Sequence, residues 1–166
     1  DNYTKLMLHC DGVDAATTFT DEIGKTVTAV GNAQIDTAQF KFSTASALFD
    51  GVNDALTLVD SDDWNFGSGD FTIDLWVRFA NLPAANQTMA LINQFDAGVG
   101  AQYAFFLSVY DTAGQKSIKF YKSSDKTTFD LALTGDVTLA TATLYHIAVV
   151  RYGNTFTIYL DGVSVA

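Results

Sequence analysis

The sequence predicts an all-β domain in which two antiparallel sheets stack on each other, and three observations support this prediction. Of the 19 acidic residues, all but Glu22 are Asp, which favours turns and caps because its short side chain competes for backbone hydrogen bonds. Residues that suit strands, chiefly Phe, Val, Thr and Ile, recur in short segments in which apolar and polar positions alternate. Gly, Asn and Asp separate these segments, and Pro83 is the only proline.

Composition and charge set the class of protein. With 166 residues, 48% hydrophobic and 17% charged, the chain suits one globular domain over residues 1–166. A net charge of −10 argues against nucleic acid and anionic membrane surfaces as partners, because both require a basic face. No apolar run approaches the roughly 20 residues of a membrane-spanning helix, so we expect no membrane insertion. The single cysteine, Cys10, excludes an internal disulfide.

The strand pattern runs from the first residues to the last. Residues 6–9 begin it, and the clearest strand is FTIDLWVRF at 71–79, whose apolar residues share one face while Asp74, Trp76 and Arg78 lie on the other. Because this segment is long and apolar, we expect it at the centre of a sheet. Gly153-Asn154 and Asp161-Gly162 predict hairpin turns. The remaining segments are ALTLV (55–59), TMALINQF (88–95), QYAFFLSVY (102–110), SIKFYK (117–122), FDLALT (129–134), LYHIAVVRY (144–152) and TFTIYL (155–160).

Five segments in a fixed order carry a family resemblance: LMLHCDG (6–12), FTDEIGKTVTAVGNAQI (19–35), ALFDGVNDALTL (47–58), WNFGSGDFTIDLWVRF (64–79) and YHIAVVRYGNTFTIYLDGV (145–163). Together they resemble LamG-like, concanavalin A-like jelly-roll domains over almost the whole chain. The resemblance implies a two-sheet jelly-roll β-sandwich. The family pattern usually continues past the YLDG hairpin, so we expect a domain without its last strands. Such a domain would self-associate, or would pair its edge with sequence beyond residue 166.

The resemblance also suggests a role. Domains of this kind occur in extracellular adhesins, as accessory modules of carbohydrate-active enzymes, and in phage virion proteins, so we expect an extracellular, cell-surface or virion-associated protein. One interpretation is a non-catalytic module whose rim loops bind a glycan or a protein surface, with calcium as a candidate cofactor. The other is a structural module of an assembly with no small ligand. Related glycosidases place two Glu and an Asp on one strand, and Glu22 alone cannot supply that pattern, so we expect no enzyme.

Three acidic loops are candidate calcium sites, because calcium takes six to eight oxygen ligands from Asp, Asn and backbone carbonyls. None has the spacing of an EF-hand, and in each loop the same side chains suit turns and caps. The resemblance implies one calcium ion between rim loops, and the sequence leaves open which loop holds it. The candidates are Asp11 and Asp14 in the first loop, Asp50, Asn53 and Asp54 in FDGVND, and Asp60, Asp62 and Asp63 in DSDDWNFGSGD.

Sugar recognition requires aromatic faces and hydroxyl-binding amides or carboxylates, and seven residues offer these groups. The alternative for each aromatic residue is packing in the core or on a sheet surface. Trp76 would lie either on an open ligand-binding face or under a loop, beside an ion pair of Asp74 with Arg78. Trp64 would alternatively plug the sandwich together with Phe66. The candidates are Trp64, Trp76, Asn93, Asp96, Gln102, Tyr103 and Tyr121, with Phe129 as a further aromatic platform.

Overall fold

The computed structural model describes residues 2–96 and 102–166, of which residues 95, 96, 102 and 103 are described by their backbone alone. This part of the chain contains strands and one short 3-10 turn, Asp62–Trp64, and no α-helix. No helix in it is therefore long and apolar enough to cross a membrane. The strands are β1 (Val27–Val30), β2 (Gln34–Asp36), β3 (Ser46–Leu48), β4 (Ala55–Leu58), β5 (Phe71–Arg78), β6 (Thr88–Asp96), β7 (Gln102–Thr112), β8 (Gln115–Lys122), β9 (Leu131–Val137), β10 (Leu144–Tyr152), β11 (Thr155–Leu160) and β12 (Val163–Ser164).

The chain forms two compact units, Asp1–Trp64 and Asn65–Ala166. The first unit contains two antiparallel two-stranded sheets, β1 with β4 and β2 with β3. Phe19, Ile35 and Ala45 are buried at its centre, and apolar residues of the short strands pack around them. The segment around residues 6–9, which the alternation predicts as a strand, forms only the isolated bridge between Leu8 and Asp21 among the described residues.

The second unit confirms the predicted two-sheet antiparallel β-sandwich. One sheet has the strand order β6-β7-β8-β9 and the other has the order β12-β11-β10-β5. Leu107, Ile118 and Phe120 from the first sheet and Ile147 and Ile158 from the second are fully buried in one shared core. Because strand side chains alternate between faces, the residues between these core positions lie on the outward faces of the two sheets.

The position of β5 differs from the prediction. The sequence suggests a central strand, but β5 is the last strand of its sheet and its described ladder is with β10 alone. Its inward residues Phe71, Ile73, Leu75 and Val77 are partly buried, whereas Ile147 and Val149 on β10 are fully buried. The apolar pattern reports which face meets the core and carries no information about how many neighbours a strand has.

Two hairpins connect the last three strands of the second sheet, at the turns that the sequence predicts. The end of the chain adds two backbone hydrogen bonds to this sheet. Gly153-Asn154 joins β10 to β11, with Tyr152 opposite Thr155, and Asp161-Gly162 joins β11 to β12. After β12, the backbone of Val165 and Ala166 hydrogen-bonds to Ile158 at 2.8 and 2.7 Å.

Candidate functional site

The register of the β6–β9 sheet brings the end of β6, the start of β7 and the β8–β9 loop, residues 123–130, to the same end of the second unit. Gln94 is opposite Phe105, Phe105 is opposite Lys122, and Lys122 is opposite Leu131. The sequence places most of its ligand-binding candidates at or beside this end of the sheet.

One row across the outward face of this sheet holds Asn93, Phe106 and Tyr121, because Asn93 is opposite Phe106 and Phe106 is opposite Tyr121. Phe129, in the β8–β9 loop, places its ring 5.4 Å from the ring of Tyr121 and keeps 38% of its surface exposed. Asn93 is exposed and lies two strands away from Tyr121, or about 10 Å at the usual strand spacing. We call Asn93, Tyr121 and Phe129 the rim site.

Asp125 organises the loop that presents Phe129. Its carboxylate accepts hydrogen bonds from the backbone N–H groups of Thr127 and Thr128 at 2.8 and 2.9 Å, and from the hydroxyls of Thr128 and Ser123 at 3.2 and 3.0 Å. The Thr128 and Thr127 N–H groups stabilise the charged form and hold the pKa of Asp125 far below its usual range. The loop is closed at its base by the N–H of Asp130, which donates to the carbonyl of Lys122 at 3.0 Å. Phe129 therefore sits in a loop with a defined backbone.

A second group lies on the outward face of the other sheet. Trp76 is opposite His146, their ring centroids are 5.1 Å apart, and Trp76 is 39% exposed. The Nε2 atom of His146 lies 3.3 Å from the Oδ2 atom of Asp74. The sequence suggests an ion pair of Asp74 with Arg78, but the side chain that Asp74 meets is His146, which belongs to the neighbouring strand.

Trp64 and Phe66 belong to different units. The Nε1–H of Trp64 donates to the carbonyl of Val59 at 3.3 Å, and the ammonium of Lys25 lies 4.9 Å from its ring centroid. Phe66 packs against Phe71 and Phe105, with ring centroids 4.2 and 5.0 Å away, and so lines the core of the second unit. The ring of Trp64 is half-buried and is not part of the rim site or of the Trp76 group.

In the FDGVND loop of the first unit, the carboxylates of Asp50 and Asp54 stabilise a turn by hydrogen bonds to neighbouring residues. Asp54 accepts the N–H of Asn32 at 2.6 Å and also the N–H of Asp50. Asp50 accepts the side-chain amide of Asn32 at 2.8 Å and the N–H of Val52 at 2.7 Å, and these bonds lower the pKa of Asp50, the Asn32 bond most. Asn53 adopts a left-handed backbone conformation, with φ of 62°. Both carboxylates are thus engaged by protein hydrogen-bond donors.

The other acidic candidates are dispersed. Asp14 accepts the N–H and the hydroxyl of Thr37 at 3.1 and 3.3 Å, and Asp11 and Asp62 are exposed. Asp63 pairs with Lys25 and, at 3.5 Å, with Lys5, and the Lys25 bond is the main cause that lowers its pKa.

No three His, Cys, Asp or Glu side chains within residues 2–96 and 102–166 converge on a point where they could hold a metal ion. Asp60 accepts the N–H of Ser61 at 3.0 Å, as an ordinary turn residue does. The described acidic side chains therefore do not form a calcium site with three such ligands. Calcium binding stays a prediction. The side chains of Asp96, Gln102 and Tyr103 lie outside the described residues.

Two features of these sites were not predicted from the sequence. The Asp125 loop was missed, although Asp followed by Lys-Thr-Thr is the pattern in which a carboxylate accepts N–H groups two and three residues later. The second feature is the contact of His146 with Asp74, which depends on the pairing of β10 with β5 across about 70 residues. The Asp125 loop is thus predictable from its own residues, whereas the contact of His146 with Asp74 is known only from the order of the strands in the sheet.

A comparison with protein-family models matches residues 50–166 to the concanavalin A-like lectin/glucanases superfamily. This segment is more than two thirds of the chain and includes the rim site and the Trp76 group. Comparisons with curated proteins and with solved structures found no significant match.

Proposed function

This chain belongs to the concanavalin A-like lectin/glucanases superfamily, and we propose that it is a non-catalytic recognition module that binds a glycan through the rim site. The observation that carries the proposal is the Tyr121–Phe129 pair, in which Phe129 is 38% exposed, together with the exposed Asn93 in the same row of the sheet as Tyr121. An exposed aromatic face suits the C–H side of a sugar ring, and an amide both donates to and accepts from hydroxyls. The distance of about 10 Å between Asn93 and Tyr121 suits a disaccharide or a longer chain.

The order of the β8–β9 loop supports a binding role. Ordering a mobile loop on binding costs free energy and so lowers the affinity for the ligand. A loop that is already ordered avoids this cost. The bonds to Asp125 fix Thr127 and Thr128, which precede Phe129 directly. The loop therefore offers a preformed platform.

The distribution of carboxylates favours binding over hydrolysis. A glycosidase needs two carboxyl groups about 5 to 9 Å apart across the bond that it cleaves. Of the two carboxylates that flank Phe129 in the loop, Asp125 accepts four hydrogen bonds from its own loop and Asp130 accepts the hydroxyl of Ser124. Glu22, the only glutamate, lies in the first unit, 3.7 Å from His9. We therefore propose no catalytic residue.

The proposal also states where the protein acts and which class of partner it binds. A module of this kind acts on an extracellular, cell-surface or virion surface, where it holds a larger protein to a glycan or to a glycosylated protein. A calcium titration of thermal stability tests the ion separately, because an ion that binds only the folded state raises the melting temperature by mass action.

A structural role in an assembly is the second candidate, and one observation favours it. Of the fifteen large apolar side chains exposed in the described part of the chain, eleven belong to the first unit. Phe42 and Val52 are 65% and 66% exposed, and Phe40 and Phe49 are both 47% exposed. Exposed apolar surface of this kind commonly marks a protein contact.

A glycan array followed by calorimetry tests the recognition proposal. We expect saccharide binding that Phe129→Ala and Tyr121→Ala each weaken at least about tenfold, since a lost aromatic contact of about 1.5 kcal/mol corresponds to that factor. Tyr152→Ala is the matched control, because Tyr152 is also an exposed aromatic residue, 80% exposed, but lies at the β10–β11 hairpin. Equal losses in the Tyr152 variant, or no saccharide signal together with concentration-dependent assembly, would contradict the proposal.

A further inference from the structure

We infer that the outward face of the β5–β10–β11 sheet carries a second site, which binds a sugar bearing a protonated amine. The site consists of Trp76, Asp74, His146, Ala148 and Tyr159, and we call it the Trp76 cradle. All five residues belong to the second unit, and none belongs to the rim site. The inference goes beyond the proposed function and does not depend on it.

The register gives the cradle its shape. Asp74 is opposite Ala148, and Ala148 is opposite Tyr159, so one row runs from an exposed carboxylate over a methyl group to a phenol. The adjacent row holds Trp76 opposite His146. Ala148 is only 7% exposed although it faces outward, which means that larger neighbouring side chains enclose it. The surface of the cradle is therefore formed by the larger side chains around Ala148, which include the exposed Asp74 and Trp76.

The side chains of the Trp76 cradle determine which kind of ligand fits it. The side chain of Asp74 is 62% exposed, and its one described partner is His146, so its carboxylate can accept a further hydrogen bond. A half-exposed tryptophan ring attracts both sugar C–H groups and cations, and an ammonium between a ring face and a carboxylate satisfies both at once. A neutral sugar would use the ring but not the charge of the carboxylate. We therefore expect an ammonium group beside Asp74 and a pyranose ring over Trp76.

The neighbouring charges orient this ligand. On β5, Arg78 lies on the same face two residues beyond Trp76, on the side away from Asp74, so the ammonium must point toward Asp74. From the turn after β11, Asp161 accepts the backbone N–H of His146 at 2.8 Å and adds a second negative charge near the site. Tyr159 on β11 supplies a neutral hydroxyl.

The test uses a glucosamine oligosaccharide, its N-acetylated counterpart and an oligolysine peptide, with the intrinsic fluorescence of the whole chain as the readout. We expect the glucosamine oligosaccharide to bind at about pH 7, and acetylation to weaken it about tenfold, which is the loss of one charge-assisted hydrogen bond. Asp74→Asn should lose the preference for the free amine. Ala148→Leu should weaken binding, because the larger side chain displaces the residues that enclose position 148.

Several outcomes would overturn the inference. Equal affinity for the amine and its N-acetylated counterpart would reduce the cradle to a neutral sugar site, and binding of oligolysine but not of glucosamine would make it a peptide site. Asp74→Asn tests the cradle and Phe129→Ala tests the rim site, so a failure here and a failure of the proposed function remain distinguishable. Should A148L prove unfolded by circular dichroism, Asp74→Asn at the exposed carboxylate still decides the question.

Discussion

The ring of Phe129 lies 5.4 Å from the ring of Tyr121, although Tyr121 belongs to β8 and Phe129 to the loop that follows. The contact exists because residues 123–130 turn back over the sheet end, and Asp125 holds that turn. Loop order and the geometry of the proposed glycan site are therefore linked. The first prediction tests this link.

Asp125→Ala should release the N–H groups of Thr127 and Thr128 and speed their exchange with solvent. Because the folded-state pKa of Asp125 is lowered, the loop's stabilisation is fully present above the usual Asp value, near 4, and is lost as the pH falls through the lower folded value. Amide hydrogen exchange at these two residues, in the natural protein and the variant, measures the effect. Exchange equally slow in D125A would show that the carboxylate does not hold the loop.

Gly135→Ala should destabilise the second unit. A Cβ atom at residue 135 would lie 2.8 Å from both the Cγ2 atom and the carbonyl oxygen of Val165, a contact that requires the chain end to move. Overpacking of this kind costs about 1 to 3 kcal/mol. Gly69→Ala is the matched control, because its new methyl group would meet no atom closer than 3.7 Å. Urea unfolding of both variants gives the comparison, and equal stabilities would disprove the close approach.

Ser117→Ala should stabilise the chain by about 1 kcal/mol. Ser117 is 2% exposed, and its hydroxyl has no hydrogen-bond partner among the described residues, so folding removes it from water without compensation. Ser123→Ala provides the contrast, because the similarly buried Ser123 donates to Asp125 at 3.0 Å and its loss should destabilise. Thermal unfolding should move the two variants in opposite directions, and a destabilised S117A would indicate a partner for the hydroxyl.

Asp54→Ala should loosen the first unit, because its carboxylate holds the N–H groups of Asn32 and Asp50 on either side of one turn. Both hydrogen bonds are exposed, so water partly replaces the carboxylate and the loss costs about 0.5 to 1.5 kcal/mol. Asp62→Ala removes an exposed acid of equal charge and should change stability by less than about 0.5 kcal/mol. Denaturant unfolding followed by the fluorescence of Trp64 would detect the difference. An equal effect of both variants would show that the Asp54 carboxylate does not stabilise the turn.

The sequence predicted the sheets better than it predicted the sites, for physical reasons. Alternation identifies which residues face the core, so the inward face of β5 and the hairpin at Gly153-Asn154 follow from local pattern. Strand order depends on pairings between distant segments, so the edge position of β5 could not be read from its own residues. The chemistry of Asn93 and Tyr121 makes each a candidate for ligand binding, but only the register shows that they share one row. The contact of Tyr121 with Phe129 depends on the Asp125 loop.

Chemical-shift mapping of a glycan titration tests the central claim most directly. With a saccharide selected on the array, we expect the largest changes at Asn93, Tyr121 and residues 123–130, and loss of those changes in Phe129→Ala. Shifts confined to the first unit or to the outward face around Trp76, with the β8–β9 loop unmoved, would contradict the proposal that the rim site is where this module binds.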